Sequence, residues 1–115
     1  MKDSRVYIIH IRDCISRIEA YIAEGKTAFL GDVKTQDAVI RNLETLCEST
    51  QRLPEAWKTA HPETDWRRIA DFRNFLAHQY LDVDLEIVWN AIENYIPDLK
   101  TTIEAIAQEF WNSSS

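Results

Sequence analysis

The chain is poor in the residues that punctuate β-rich folds, with 2 Gly and 3 Pro among 115 residues. So few turn-formers argue against an architecture of many short strands and favour helices. Cysteine is scarce as well: Cys14 and Cys47 lie far apart in helical patterns without paired spacing. They read as buried free thiols rather than as a disulfide or a metal site. No apolar run approaches the roughly 20 residues needed to span a bilayer, and Met1-Lys2-Asp3-Ser4-Arg5 lacks the apolar segment of a secretion signal. The expected location is the cytoplasm. Basic residues are outnumbered, 13 Lys and Arg against 19 Asp and Glu, for a formal charge of -6. That balance disfavours nonspecific binding to nucleic acid, whose phosphates reward a basic surface, so any such site must be local.

Metal and phosphate-loop signatures are missing too. The residues three before the histidines are Tyr7, Lys58 and Phe75, so there is no Glu-x-x-His and no His-Glu-x-x-His. No Gly-rich phosphate loop is present either, and no metal or cofactor is expected.

What is present is an ordinary globular composition, 45% apolar and 28% charged. The length suits one domain, placed at 1–111, followed by a frayed polar tail at 112–115. Ile8, Ile11, Ile15, Ile18 and Ile22 recur at spacings of three and four, which lines one face of a first helix capped by Asp3 or Ser4. The stretch 24–33 holds both glycines and reads as a connection. A second helix, starting near Thr35, runs through Val39, Leu43, Leu46 and Cys47 to Leu53. Pro54 ends it, because the residue before a proline is pushed out of helical geometry, and Pro54 can also open a short helical turn.

A loop over 60–65 then delivers Thr64 or Asp65 as the cap of a third helix, roughly Trp66 to Ala77. Asp82 or Asp84 caps a last long helix whose apolar face runs from Leu85, Val88, Trp89 and Ile92 through Ile96, Leu99, Ile103 and Ile106 to Phe110. Pro97 should kink or divide it. The expected fold is all-α, an antiparallel bundle of four to five helices. The four tryptophans, at 57, 66, 89 and 111, read as core or dimer packing more readily than as base-stacking platforms.

One constellation rises above bundle-making sequence: Arg73-Asn74-Phe75-Leu76-Ala77-His78-Gln79-Tyr80, an Arg-x4-His-x-Tyr pattern. With 8 Arg, 3 His and 4 Tyr in the chain, that spacing would arise by accident in roughly one shuffled sequence in a hundred. Arg67, Arg68, Arg73 and His78 also form the densest basic stretch, which permits a local RNA contact through Arg67 and Arg68 and equally fits a solvated arginine face. At about 100° per residue Arg73 and Tyr80 share a helical face, while His78 points about 140° away from Arg73 if the helix runs on. The third helix is therefore expected to stop near Ala77, so that the chain turns His78 into the same cleft as Arg73, with Phe75, Leu76 and Leu81 holding the corner. A plain structural reading stands beside this one, in which Arg73 pairs with an acid of a partner chain, His78 is a hydrogen-bonded corner and Tyr80 packs.

The motif, with the flanking runs Gln36-Asp37-Ala38-Val39-Ile40-Arg41-Asn42-Leu43 and Val83-Asp84-Leu85-Glu86-Ile87-Val88-Trp89, resembles the HepT family of HEPN proteins over nearly the whole chain. The resemblance implies a homodimer in which two motifs meet in a cleft, and a toxin acting as a metal-independent RNA endonuclease. The implied partner is a minimal nucleotidyltransferase antitoxin of the MNT type. On that reading His78 is the general acid or base, Arg73 holds the phosphate, Asn74 orients either group or the sugar, and Tyr80 receives AMP from the antitoxin. The alternatives are a noncatalytic HEPN subunit that docks a nucleotidyltransferase or a nucleotide, and a structural helical dimer.

Overall fold

The computed structural model describes residues 3–78 and 83–112. Within them the protein is all-α, with seven helices and no strand: α1 (Arg5–Tyr21), α2 (Lys26–Leu30), α3 (Val33–Gln51), α4 (Glu55–Thr59), α5 (Trp66–His78), α6 (Leu85–Asn94) and α7 (Ile96–Phe110). Five of these form the bundle, while α2 and α4 are single turns of five residues set into its connections.

The core follows the apolar spacing read from sequence. On α1, Ile8, Ile11, Ile15 and Ile18 are buried together with Cys14. On α3, Val39, Leu43, Leu46 and Cys47 are buried opposite them, and these two helices share the most extensive packing in the molecule. Of the two capping candidates Ser4 occupies the N-cap position of α1, while Asp3 before it accepts from the Arg5 backbone N–H through Oδ1 at 2.9 Å. Both cysteines are free and buried.

Two boundaries differ from the sequence expectation. The connection after α1 contains α2, which begins behind Gly25 at φ 93°, a left-handed conformation that L side chains resist. Its Phe29 is buried, and Gln36 of α3 donates through Nε2 to the backbone oxygens of Phe29 and Leu30 at 3.0 Å each. The second long helix accordingly starts at Val33 rather than near Thr35, because Asp32 caps it through a bond from Lys34 N at 3.2 Å. The final apolar run is divided, as Pro97 led one to expect: α6 ends at Asn94, Tyr95 forms the junction, and Pro97 sits in the first turn of α7. A proline is tolerated there because it has no N–H to leave unpaired. Asp84 caps α6, accepting from Glu86 N at 2.9 Å.

The tryptophans are packed rather than offered to solvent as a platform. Trp57 stacks on Phe110 with centroids 5.3 Å apart and Trp89 meets Phe29 at 5.4 Å. Trp111, half-buried, carries the Arg5 and Arg12 guanidinium groups 5.8 and 5.5 Å from its ring. No helix among the described residues is long and apolar enough to cross a membrane.

Candidate functional site

The motif rides on α5, and the entry to that helix is held firmly. Asp65 Oδ1 accepts from Arg68 N at 3.0 Å, filling one of the donors left free at a helix N-terminus. Trp66 Nε1 donates to the carbonyls of Lys58 and His61, 3.1 Å from each. The core-facing side of α5 is anchored by Leu76, which is fully buried, with Ile69 and Phe72 packed against the core. Phe72 in turn stacks on Phe75 at 5.9 Å.

Arg73 is half-buried on the side of α5 that faces α3. Its charge reaches the Cys47 thiol: burial pushes that thiol up to about 12, and the nearby guanidinium opposes the rise only in part. Arg73 enters no ion pair or side-chain hydrogen bond with another described residue. Asn74 and His78 are exposed. They stand four residues apart, which puts them one turn above the other on one face.

His78 is still helical and is the last described residue of α5, so the helix reaches at least one residue past the end expected from sequence. The turn that was to swing His78 toward Arg73 is therefore not made before it. In one chain His78 lies about 140° around the axis from Arg73 and about 7.5 Å along it. The structure thus brings together Asn74 and His78 and leaves Arg73 on a different face. Tyr80 and Leu81 lie outside the described residues.

The basic stretch separates likewise. Arg67 shares the exposed face of Asn74 and His78, at i, i+7 and i+11, and pairs with Asp71 through Nε at 3.3 Å. Both partners are open to water, so this pair holds Arg67 only weakly. Arg68 points about 100° away, its guanidinium 4.3 Å above the Tyr95 ring. The face at 67, 71, 74 and 78 is thus a polar stripe with one arginine, one carboxylate, one amide and one imidazole. Such a set can grip a phosphate and move a proton, but the second, better-shielded arginine stands beside the stripe rather than on it.

Local sequence pattern missed His61. Its ring is buried, with Nδ1 2.8 Å from Glu63 and Nε2 2.7 Å from Glu109 on α7. Hydrogen bonding to Glu63 first, then to Glu109, raises its pKa, against the opposing effect of burial. Thr64 adds a 2.7 Å bond to Thr102, so the loop before α5 is strapped to α7. Among the described residues no group of three or more His, Cys, Asp or Glu side chains is disposed to hold a metal ion.

The Ribonuclease HepT-like family model matches residues 11–106, a span that takes in α3, α5 and α6, most of α1 and α7, and the whole motif. The chain belongs to the HepT-like family. A relative from Thermococcus cleftensis, described as "Probable ribonuclease HepT", is 39% identical over 101 residues, covering 87% of this chain and 92% of its own. A Methanocaldococcus jannaschii protein named as a candidate RNase is 38% identical over 109 residues, 94% of this chain and 90% of its own. The "mRNA nuclease HepT" of Shewanella oneidensis is 26% identical over an alignment covering 89% of this chain and 94% of its own. No solved structure matches. For a HepT-like protein the polar stripe of α5 and the neighbouring Arg73 are the natural place to look for chemistry.

Proposed function

We propose that the protein is the toxin of a HEPN/MNT toxin–antitoxin pair, a metal-independent RNA endonuclease that uses Arg73 and His78 of a homodimer. The observation that carries this reading is the family match across residues 11–106, which includes the Arg-x4-His-x-Tyr motif, and the printed descriptions of its relatives as ribonucleases support it.

RNA can be cut without a metal when its own 2′-hydroxyl attacks the adjacent phosphorus. One proton leaves the 2′-oxygen, one is delivered to the departing 5′-oxygen, and a cyclic phosphate and a free 5′-hydroxyl result. Histidine suits that proton traffic at neutral pH. His78, exposed at the end of α5, is the general acid or base. Arg73 offsets the charge gathering on the phosphate oxygens through planar, charge-assisted hydrogen bonds. Asn74, one turn from His78, orients the imidazole or the sugar, and Arg67 on the same stripe contacts the RNA backbone. Arg68, committed to Tyr95, is less available for that contact. Because Arg73 and His78 diverge on one helix, a second protomer completes the site: Arg73 of one chain faces His78 of the other across the dimer cleft.

Tyr80 is the regulatory member. Its hydroxyl attacks the α-phosphate of ATP on the antitoxin, pyrophosphate leaves, and the tyrosyl–AMP phosphodiester places a negative charge and a bulky nucleotide next to the motif, where they exclude RNA. The pair is expected to act in the cytoplasm.

The test is cleavage of total cellular RNA by unmodified protein in EDTA, with His78→Ala and Arg73→Ala compared with wild type after circular dichroism confirms that both are folded. Activity lost in both variants supports the ribonuclease. A wild-type protein that cuts nothing, while mass spectrometry finds no adenylate on Tyr80, favours instead the noncatalytic subunit that docks a nucleotidyltransferase or nucleotide.

A further inference from the structure

The helix that carries the motif is secured along one side. Among the helices α5 packs extensively on α3 alone, and a cleft of about 260 Å³ lies between it and the junction of α6 with α7. A helix held along one side can tilt about that contact, so its position depends on what holds its ends. At the N-terminal end the tie to α7 is the entry loop, and the tie runs through His61.

The His61 carbonyl accepts from Thr64 N at 3.3 Å and from Trp66 Nε1 at 3.1 Å, which fixes its main chain to the first residue of α5. Its ring, in a residue only 7% exposed, reaches the other way, with Nε2 2.7 Å from Glu109 of α7 and Nδ1 2.8 Å from Glu63. An ionised carboxylate only accepts and a neutral imidazole has a single N–H, so the imidazolium alone satisfies both contacts at once. The other charged groups nearby are engaged elsewhere. Lys58 of α4, whose carbonyl accepts from the His61 backbone N–H at 2.9 Å, has its ammonium on Glu55 and on the Gln51 carbonyl. On the α5 side Asp65 caps the helix and Arg67 pairs with Asp71. Glu63 first and Glu109 second are the charged groups that act on the imidazole, raising its pKa against the opposing effect of burial.

We propose that His61 is a pH-operated clasp that sets the position of the motif helix. Charged, it holds the 60–65 loop against α7 and α5 where the structure shows it. Once the proton is lost, one N–H remains for two carboxylates. Either the Glu109 contact opens, or it persists as a neutral hydrogen bond about half as strong while Glu63 turns out to water. In both cases the tie to α7 weakens and the N-terminal end of α5 tilts about its contact with α3. The 2.7 Å bond between Thr64 and Thr102 does not titrate and keeps the loop on α7, so the movement is a tilt rather than a detachment. The clasp is closed below the ordinary imidazole value of about 6.5 and opens as pH rises through the raised one. It concerns the placing of α5 and holds whether or not the motif cuts RNA.

The test is NMR on the full chain between pH 6 and pH 9. Ring resonances of His61 follow its titration, and residual dipolar couplings of α5 amides give the angle of that helix to the frame of α1 and α3. The angle should change with the midpoint of the His61 ring, and the Trp66 indole N–H should shift with it, while that of Trp89, bonded to Glu93, stays still. Glu109→Gln keeps the shape of the side chain and removes its charge, so it should lower both midpoints together by about one pH unit. His61→Gln should hold α5 at the high-pH angle throughout. A constant α5 angle while His61 titrates overturns the proposal. So does an angle that still changes with pH in His61→Gln, which would trace the motion to another group such as His78. If His61→Gln does not fold, midpoints for ring and helix that part company in Glu109→Gln refute it equally.

Discussion

If Arg73 and His78 that serve one phosphate come from different protomers, two inactive variants should repair each other. The reason is geometric: on α5, which runs unbroken to His78, the two side chains diverge by about 140° and their backbones stand about 7.5 Å apart along the axis. In a homodimer with two such pairings, Arg73→Ala and His78→Ala protomers mixed in equal amounts, unfolded together and refolded, pair at random, so half of the dimers are mixed. In each mixed dimer one site collects both mutations and the other collects neither. Half of the dimers with half of their sites intact gives about a quarter of wild-type activity, against single variants lowered by a factor of about a hundred or more. The assay is initial-rate cleavage of a fluorescent RNA, with mixed dimers confirmed by native mass spectrometry using two affinity tags. Recovery near a quarter supports a site shared between chains. If mixed dimers form and activity stays at the level of the separate variants, both side chains act from one protomer and the reasoning from helical geometry is wrong.

Three further outcomes follow from the packing and the ionisation. Because its carboxylate partners raise the pKa of His61, the strap contributes stability that is complete below the unfolded imidazole value of about 6.5 and is lost as pH rises through the raised folded value. The melting-temperature advantage of wild type over His61→Gln should therefore shrink from pH 6 to pH 9, and an advantage that grows with pH would contradict the strap. Leu76→Ala, at a fully buried position on α5, should cost about 3 kcal/mol and lower Tm by about 10 °C, measured by chemical and thermal denaturation. A cost below about 1 kcal/mol would mean that α5 is not anchored there. Cys47, buried and with its pKa pushed up to about 12, should resist iodoacetamide at pH 8 in the folded protein and react fully in guanidinium, as read by mass spectrometry. Modification of the native protein at the rate of a free thiol would refute that burial.

The apolar skeleton was readable because helices betray themselves locally: Ile8, Ile11, Ile15 and Ile18 needed only their own spacing to predict a buried stripe. The split at Tyr95 was readable from Pro97 for the same reason. What escaped were features set by partners far along the chain. His61 finds one carboxylate two residues away and another 48 residues away, and only the second explains why a histidine beside Pro62 is buried. The helix α2 was hidden because Gly25 and Gly31 bracket it, and glycines that stop one helix and permit the next look alike in a sequence. At the motif, the residues were legible but their directions were not. Whether the helix continued through His78 decides which faces meet, and helix ends are the least legible feature of a periodic pattern.

The bonds from Gln36 to the carbonyls of Phe29 and Leu30 have a consequence for how the molecule breathes. A surface connection ordinarily opens by itself, so its amides exchange with solvent long before the rest of the fold does. Here the short helix between α1 and α3 is fastened to α3 and buries Phe29 against Trp89, so it cannot lift away without disturbing the centre of the bundle. Its amide protons belong to the same cooperative unit as α3, and a crossing that looks like a hinge in the sequence behaves as part of the frame.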